Sequence, residues 1–221
     1  MGGNLALAKS LSLMENIAKK HDSIISKKFG WGAAAYFSAE HKDDREWDSL
    51  GRMASILGAA SDDPVPVYAV IGESPDFAIY DSTCTRIAGC EVTEVIEPGY
   101  ARHRFHKEDA LKPPGTYYGM PEQINDQWKP LTKVLRKKAL KPYAADSWLL
   151  IYYDIGMLQT EDWETPFHAR LLAEFESTRL SLAEEGYAKF VRILVLSPDM
   201  RSLTELHPNP RFIGAIPNEE E

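Results

Sequence analysis

Two strongly apolar runs in the second half of the chain place the tightest limit on its fold. Residues 147–154 (SWLLIYYD) form a continuously apolar run, the pattern typical of a strand buried on both faces, and residues 189–197 (KFVRILVLS) are predicted to form a further strand. A helix is predicted between them, opened by Thr165-Pro166 and ended by Gly186. Strands joined in this way pair in parallel through a right-handed crossover, so the pattern predicts an α/β fold.

The rest of the chain supplies the other elements of a mixed sheet flanked by helices. Residues 4–27 are predicted to form a helix that ends at Gly30. We divide the chain into an N-terminal helical extension, residues 1–42, and one α/β domain, residues 43–221. Within that domain the patterns predict helices at 43–57 and 127–141, and strands at 65–71, 77–80, 87–95 and 211–216.

Charge is unevenly distributed along the chain. The protein carries a net charge of −8, which argues against broad, passive binding of nucleic acid. The segment 98–143, however, has ten Lys and Arg against four Asp and Glu, a local charge of +6 that leaves −14 for the remainder. This basic segment indicates a polyanionic partner.

Two further properties bear on the cellular setting. Cys84 and Cys90 are too few for a disulfide framework, and we expect them to be reduced. No apolar run approaches the ~20 residues that cross a bilayer, and the first twenty residues lack a secretory pattern. We therefore expect a cytoplasmic protein with no membrane partner.

Carboxylates stand at the ends of two predicted strands, where burial makes charge costly. Asp76 precedes the strand 77–80, and Glu91 lies among apolar residues in the strand 87–95. Side-chain alternation places Glu91 and Thr93 on one face of that strand. Either a cation gathers these carboxylates, or an ion pair with a lysine satisfies Glu91 and Asp76 is only a residue that starts a strand.

The segments Pro75-Asp76 and Glu91-Val92-Thr93, separated by a strand and a turn, resemble the motif of the PD-(D/E)xK nuclease superfamily. The core of that restriction-endonuclease-like fold is a helix, a three-stranded meander, a helix and a strand, the order predicted here for residues 43–154. Thr93 stands where the motif has lysine. The resemblance implies a divergent branch in which the lysine comes from the following helix, and Lys138 is our candidate.

The resemblance implies a metal-dependent hydrolase acting on phosphodiester bonds. Asp76 and Glu91 are expected to bind Mg²⁺ or Mn²⁺, with the main-chain carbonyl of Val92 as a further ligand and Glu46 as an outer acid for a second ion. Such an ion activates water and neutralises charge on the phosphate. Lys138 would position water or stabilise the transition state, and Thr93 would play a supporting part.

The expected partner is nucleic acid, DNA in preference to RNA, with a homodimer as a further option. The residues expected to contact the phosphate backbone are Arg102, Arg104, Lys107, Lys137 and Lys141. Three alternatives stay open: a catalytically inactive nuclease-fold module that binds nucleic acid or a protein, a structural subunit assembling through the helix 166–185, and a lysine-rich helix that is merely a solvated face.

Overall fold

A computed structural model describes residues 9–11, 42–60, 64–72, 74–95, 128–153, 167–184, 189–197 and 200–216. The described helices are α1 (Lys42–Ala60), α2 (Trp128–Ala139) and α3 (Phe167–Glu184). The strands are β1 (Lys9–Ser10), β2 (Tyr68–Ile71), β3 (Phe77–Tyr80), β4 (Arg86–Val95), β5 (Ser147–Tyr153), β6 (Arg192–Leu196), β7 (Ser202–His207) and β8 (Arg211–Ala215).

All eight strands belong to one mixed sheet, in which they lie side by side in chain order. Strands β1 to β4 pair antiparallel, β4 to β6 pair parallel, and β6 to β8 return to antiparallel pairing. The two parallel pairs are those whose connections contain α2 and α3, as the crossover rule requires. The α/β class is therefore confirmed.

The sheet separates two hydrophobic cores. Strand β5 is buried along its whole length and feeds both cores by alternation: Trp148 and Leu150 enter one, and Leu149 and Ile151 enter the other. The first core is completed by α1, chiefly through Trp47, Leu50, Met53 and Leu57. The second is completed by α2 and α3 through Leu131, Leu135, Leu171 and Phe175. The helices thus cover both faces of the sheet.

Most of the predicted elements are present with small changes at their ends. The strand at 77–80 is as predicted, and the run from 147 ends at Tyr153. The helix predicted at 43–57 continues to Ala60, and the helix predicted at 127–141 ends at Ala139. None of the described helices combines the length and apolarity needed to cross a membrane.

One prediction is wrong within the described residues. Lys9 and Ser10, predicted to be helical, form β1, which pairs with Ala69 and Tyr68 of β2. Leu11 extends this pairing, because its main-chain N–H donates to the carbonyl of Val67 at 3.0 Å. Pairing with a distant strand here outweighs the local helical pattern. The rest of the helix predicted at 4–27 lies outside the described residues.

Strand β7 has no counterpart among the predicted elements. Its central residues, Leu203 to Leu206, are all buried, although Thr204 and Glu205 are polar. The Glu205 carboxylate accepts a hydrogen bond from Arg192 of β6 at 2.6 Å, and from Arg211 of β8 at 2.9 Å. The positive charges of these two arginines therefore compensate the Glu205 carboxylate and allow β7 to be buried.

Candidate functional site

Asp76 is positioned by a tight turn between β2 and β3. The main-chain N–H of Gly72 donates to the carbonyl of Asp76 at 2.8 Å, which closes the turn. The ring of Pro75 packs over Gly89 of β4, where a Cβ would lie 2.4 Å from the proline Cγ. Gly89 therefore provides the space in which Pro75, and with it Asp76, approaches β4.

Asp76 is bound directly to the strand that carries Glu91. Its Oδ2 accepts a hydrogen bond from the main-chain N–H of Val92 at 2.9 Å. Phe77 is paired with Cys90, so the same antiparallel register places Asp76 opposite Glu91. Burial raises the pKa of Asp76 above its ordinary value and the negative charge of Glu91 raises it further, against the lowering effect of the Val92 hydrogen bond.

The carboxylate of Glu91 is contacted by side chains from α2 and from the residues that follow this helix. Lys138 Nζ lies 2.5 Å from Glu91 Oε1, and the Tyr143 hydroxyl donates to the same oxygen at 2.8 Å. Lys141 Nζ is more distant, at 3.8 Å from Oε1. Since the Glu91 side chain is only 5% exposed, these donors compensate a buried charge.

Helix α1 adds a third carboxylate to this electrostatic cluster. Glu46 is buried and pairs with Lys42, whose Nζ lies 2.6 Å from Glu46 Oε1. Burial raises the pKa of Glu46, and the charge of Asp76 adds to that rise. Trp47, the next residue, packs edge-to-face on Phe77 with 4.7 Å between ring centroids. The helix is thereby fixed against the start of β3.

Tyr143 belongs to the site, although no pattern in the sequence predicts this. It follows Pro142, beyond the end of α2, and a lone tyrosine there has no recognisable spacing to a catalytic motif. Burial raises the pKa of the Tyr143 hydroxyl, and its hydrogen bond to Glu91 raises it further. The hydroxyl therefore keeps its proton and acts as a donor to Glu91.

The other predicted site residues fall into two groups. Thr93 is half-buried on β4 two residues beyond Glu91, while Lys137 is exposed on α2 and is not among the residues that contact Glu91. The residues predicted in the loop, namely Arg102, Arg104 and Lys107, lie outside the described residues. Of the predicted basic residues, the structure therefore brings Lys138 and Lys141 to Glu91.

The donor set suits a hard divalent cation. The hydrogen bonds and ion pairs that the Glu91 side chain makes with described residues fall on Oε1, and the Val92 hydrogen bond falls on Asp76 Oδ2. Glu91 Oε2 and Asp76 Oδ1 are therefore the carboxylate oxygens that would ligate an ion of the Mg²⁺ type, which prefers oxygen ligands. No group of three or more His, Cys, Asp and Glu residues forms a metal site within the described ranges.

A scan against protein-family models, a search of curated proteins and a search of solved structures each found no match to this chain. What the site does is therefore inferred from its own chemistry.

Proposed function

We propose that this protein is a metal-dependent nuclease of the restriction-endonuclease-like type, which hydrolyses phosphodiester bonds in nucleic acid, DNA in preference to RNA. The observation that carries the proposal is the convergence of three groups from separate elements. Asp76 at the start of β3 lies opposite Glu91 of β4, and Lys138 of α2 contacts Glu91. The element order α1, β2–β4, α2, β5 supports the same assignment.

Asp76 and Glu91 would hold the ion, with the main-chain carbonyl of Val92 as a third oxygen donor and Glu46 as an outer acid. The ion, Mg²⁺ or Mn²⁺, supplies activation of water and neutralisation of charge on the phosphate oxygens. In the hydrolysis, the water oxygen bonds to phosphorus as an ester P–O bond breaks, which yields a phosphate monoester and a hydroxyl group.

The chain's own lysines have two parts in this proposal. Lys138, with 11% of its side chain exposed, orients the attacking water or pairs with the phosphate. Lys141, which is 50% exposed, and the exposed Lys137 contact the phosphate backbone as it approaches. Thr93, beside Glu91 on β4, supports the position of the strand.

The test is cleavage of plasmid DNA, and of RNA in parallel, by the purified protein and its D76N and E91Q variants. We expect Mg²⁺- or Mn²⁺-dependent cleavage by the wild type and a loss of at least about 100-fold in each variant, since loss of an outer-shell partner of a metal already costs about 10–100-fold and these residues would be direct ligands. Asp81, at the far end of β3, offers the matched control D81N, which should cleave like the wild type. Cleavage that D76N and E91Q leave unchanged would refute the proposal.

The second candidate is a catalytically inactive module of the same fold that binds nucleic acid or a protein. The Lys138–Glu91 ion pair favours it, because this contact satisfies the buried carboxylate without any metal. Titration of the protein with Mn²⁺ separates the two candidates. An inactive module should not bind Mn²⁺ through Asp76. Its heat of binding should therefore be the same in the wild type and in D76N.

A further inference from the structure

Tyr143 and Lys138 donate to the same oxygen of Glu91 but differ in how firmly each is held. Both contacts fall on Oε1, at 2.8 Å from the tyrosine hydroxyl and 2.5 Å from the lysine ammonium. A lysine ammonium ends a flexible four-carbon stem, whereas a tyrosine hydroxyl is fixed once its ring is fixed. How firmly the tyrosine hydroxyl is held therefore depends on what surrounds its ring.

The ring of Tyr143 is held from two sides. It packs on Phe190, which is 1% exposed, with 5.1 Å between ring centroids and an angle of 43°. The ammonium of Lys189 lies 5.3 Å from the centroid of the tyrosine ring, within the range of a cation–π contact. The same ammonium donates to the main-chain carbonyls of Ala139 and Lys141.

The ammonium of Lys138 has three N–H donors, and its contact with Glu91 is weakened or lost when it turns towards water or phosphate. Departure of the only donor from a buried carboxylate is costly, because the oxygen then lacks a hydrogen bond. Tyr143 removes this obstacle, since its hydroxyl remains on Oε1 when the ammonium moves away. The two donors are thus suited to different tasks, one permanent and one exchangeable.

We propose that Tyr143 is a positioning residue that holds Oε1 of Glu91, so that Lys138 is released for the reaction and Oε2 would remain available to ligate a divalent cation. This inference rests on the nuclease function proposed above. It adds a residue from outside the Asp–Glu–Lys set and gives it a task distinct from that of Lys138.

The test uses Y143F, which deletes the hydroxyl and keeps the ring that packs on Phe190. The matched control is Y153F, because the Tyr153 hydroxyl is buried without a hydrogen-bond partner among the described residues. Binding of Mn²⁺ alone is measured by calorimetry on the full chain. We expect roughly 10-fold weaker binding in Y143F, as for loss of an outer-shell partner, and wild-type binding in Y153F.

Cleavage kinetics supply a second readout. At saturating Mn²⁺, Y143F should lower kcat about 10-fold and leave KM for DNA unchanged, because the lost interaction acts during the reaction. A merely structural role would instead lower the urea midpoint of unfolding and leave Mn²⁺ affinity and kcat at the level of Y153F.

The possible results distinguish a failure of the Tyr143 assignment from a failure of the nuclease proposal. If the wild type binds Mn²⁺ and cleaves DNA, D76N abolishes both, and Y143F behaves like Y153F, then the assignment of Tyr143 is overturned and the nuclease stands. If the wild type neither binds Mn²⁺ through Asp76 nor cleaves, the nuclease is overturned and the assignment with it.

Discussion

At the scale of single residues, the site depends on a glycine that carries no chemistry. Pro75 occupies the volume next to Gly89 that a side chain would fill, and this packing brings Asp76 to the main-chain N–H of Val92. The carboxylate is therefore positioned by backbone and ring contacts on both sides of it. A substitution at Gly89 should therefore shift the position of Asp76, although Gly89 itself carries no functional group.

We predict that G89A destabilises the protein and impairs cleavage together. The added Cβ would lie 2.4 Å from Pro75 Cγ, so the turn that carries Asp76 has to move, at a cost typical of overpacking, about 1–3 kcal/mol. Urea unfolding and the Mn²⁺-dependent cleavage rate measure the two effects.

The control for this prediction is G58A. Gly58 is exposed in α1, and its added Cβ would meet Val65 at an ordinary 3.5 Å. Replacement of glycine by alanine inside a helix should stabilise the protein by roughly 0.5–1 kcal/mol. An equal response of the two variants would contradict the packing role assigned to Gly89.

The sequence was informative about the site where a residue type and a spacing coincide. Asp76 stands out as a carboxylate before one apolar run, Glu91 as a carboxylate within another, and Lys138 as a cation on a helix that follows them. Tyr143 could not be found in this way, because its role depends on Phe190 and Lys189, which lie nearly fifty residues further along the chain. A contact of that kind leaves no local pattern.

At the scale of the elements, a buried ion pair joins β6 to β7. Arg192 Nε lies 2.6 Å from Glu205 Oε1, with 9% and 3% of the two side chains exposed, and the Arg192 guanidinium stacks on Trp148 of β5. The stability of the protein depends on both members of such a pair, because removal of one leaves the other charge buried without a partner.

We predict that E205A destabilises the protein by about 3–5 kcal/mol, whereas the paired replacement R192M/E205L recovers most of that loss. The free energy of unfolding in urea is the measurement. The control is D146A, which breaks the exposed pair between Asp146 and Arg86 and should cost at most ~1 kcal/mol. Equal losses in E205A and D146A would show that the Arg192–Glu205 pair is not a buried contact in solution.

The elements predicted correctly are those whose signal is local. Apolar runs predicted β5 and β6, and the Thr165-Pro166 opening with the Gly186 end predicted α3. Strand β7 was missed because its buried Glu205 is neutralised by arginines on the neighbouring strands, and β1 because its pairing with β2 opposes a helical pattern. Both errors arise from interactions between segments that are distant in sequence.

At the scale of the whole molecule, the burial of Asp76 and Glu46 is expected to reduce the stability of the fold at neutral pH. The pKa of Asp76 is raised by burial, so the folded protein binds this proton more tightly than the unfolded chain does. Stability therefore falls as the pH rises through the folded-state pKa, and the full cost is present above it. Glu46 acts in the same direction.

We predict that D76N melts at a higher temperature than the wild type at pH 7, by about 2–4 °C, since substitutions that relieve functional-site strain often add ~1 kcal/mol. The gain should disappear below the ordinary Asp pKa of 3.8, where the wild-type carboxyl is protonated in both states. Calorimetry from pH 3 to pH 8 measures this.

Asp81 provides a control, because its pKa is shifted in the direction opposite to that of Asp76. Hydrogen bonds from Thr83 and Thr85 lower its pKa, so its contribution is present at neutral pH and lost as the pH falls through the folded-state value. D81N should therefore give no gain in melting temperature at pH 7. A gain in D81N as large as that in D76N would argue against a penalty specific to the cluster.

The double contact of Lys189 with the carbonyls at the end of α2 has a practical consequence for anyone shortening this chain. A fragment cut after Tyr153 would retain Asp76, Glu91, Lys138 and Tyr143. It would nevertheless lack the ammonium that braces the terminus of the lysine-bearing helix, together with the phenylalanine beneath the tyrosine ring. The smallest fragment that keeps the proposed site intact should therefore extend at least through β6, well beyond Tyr143.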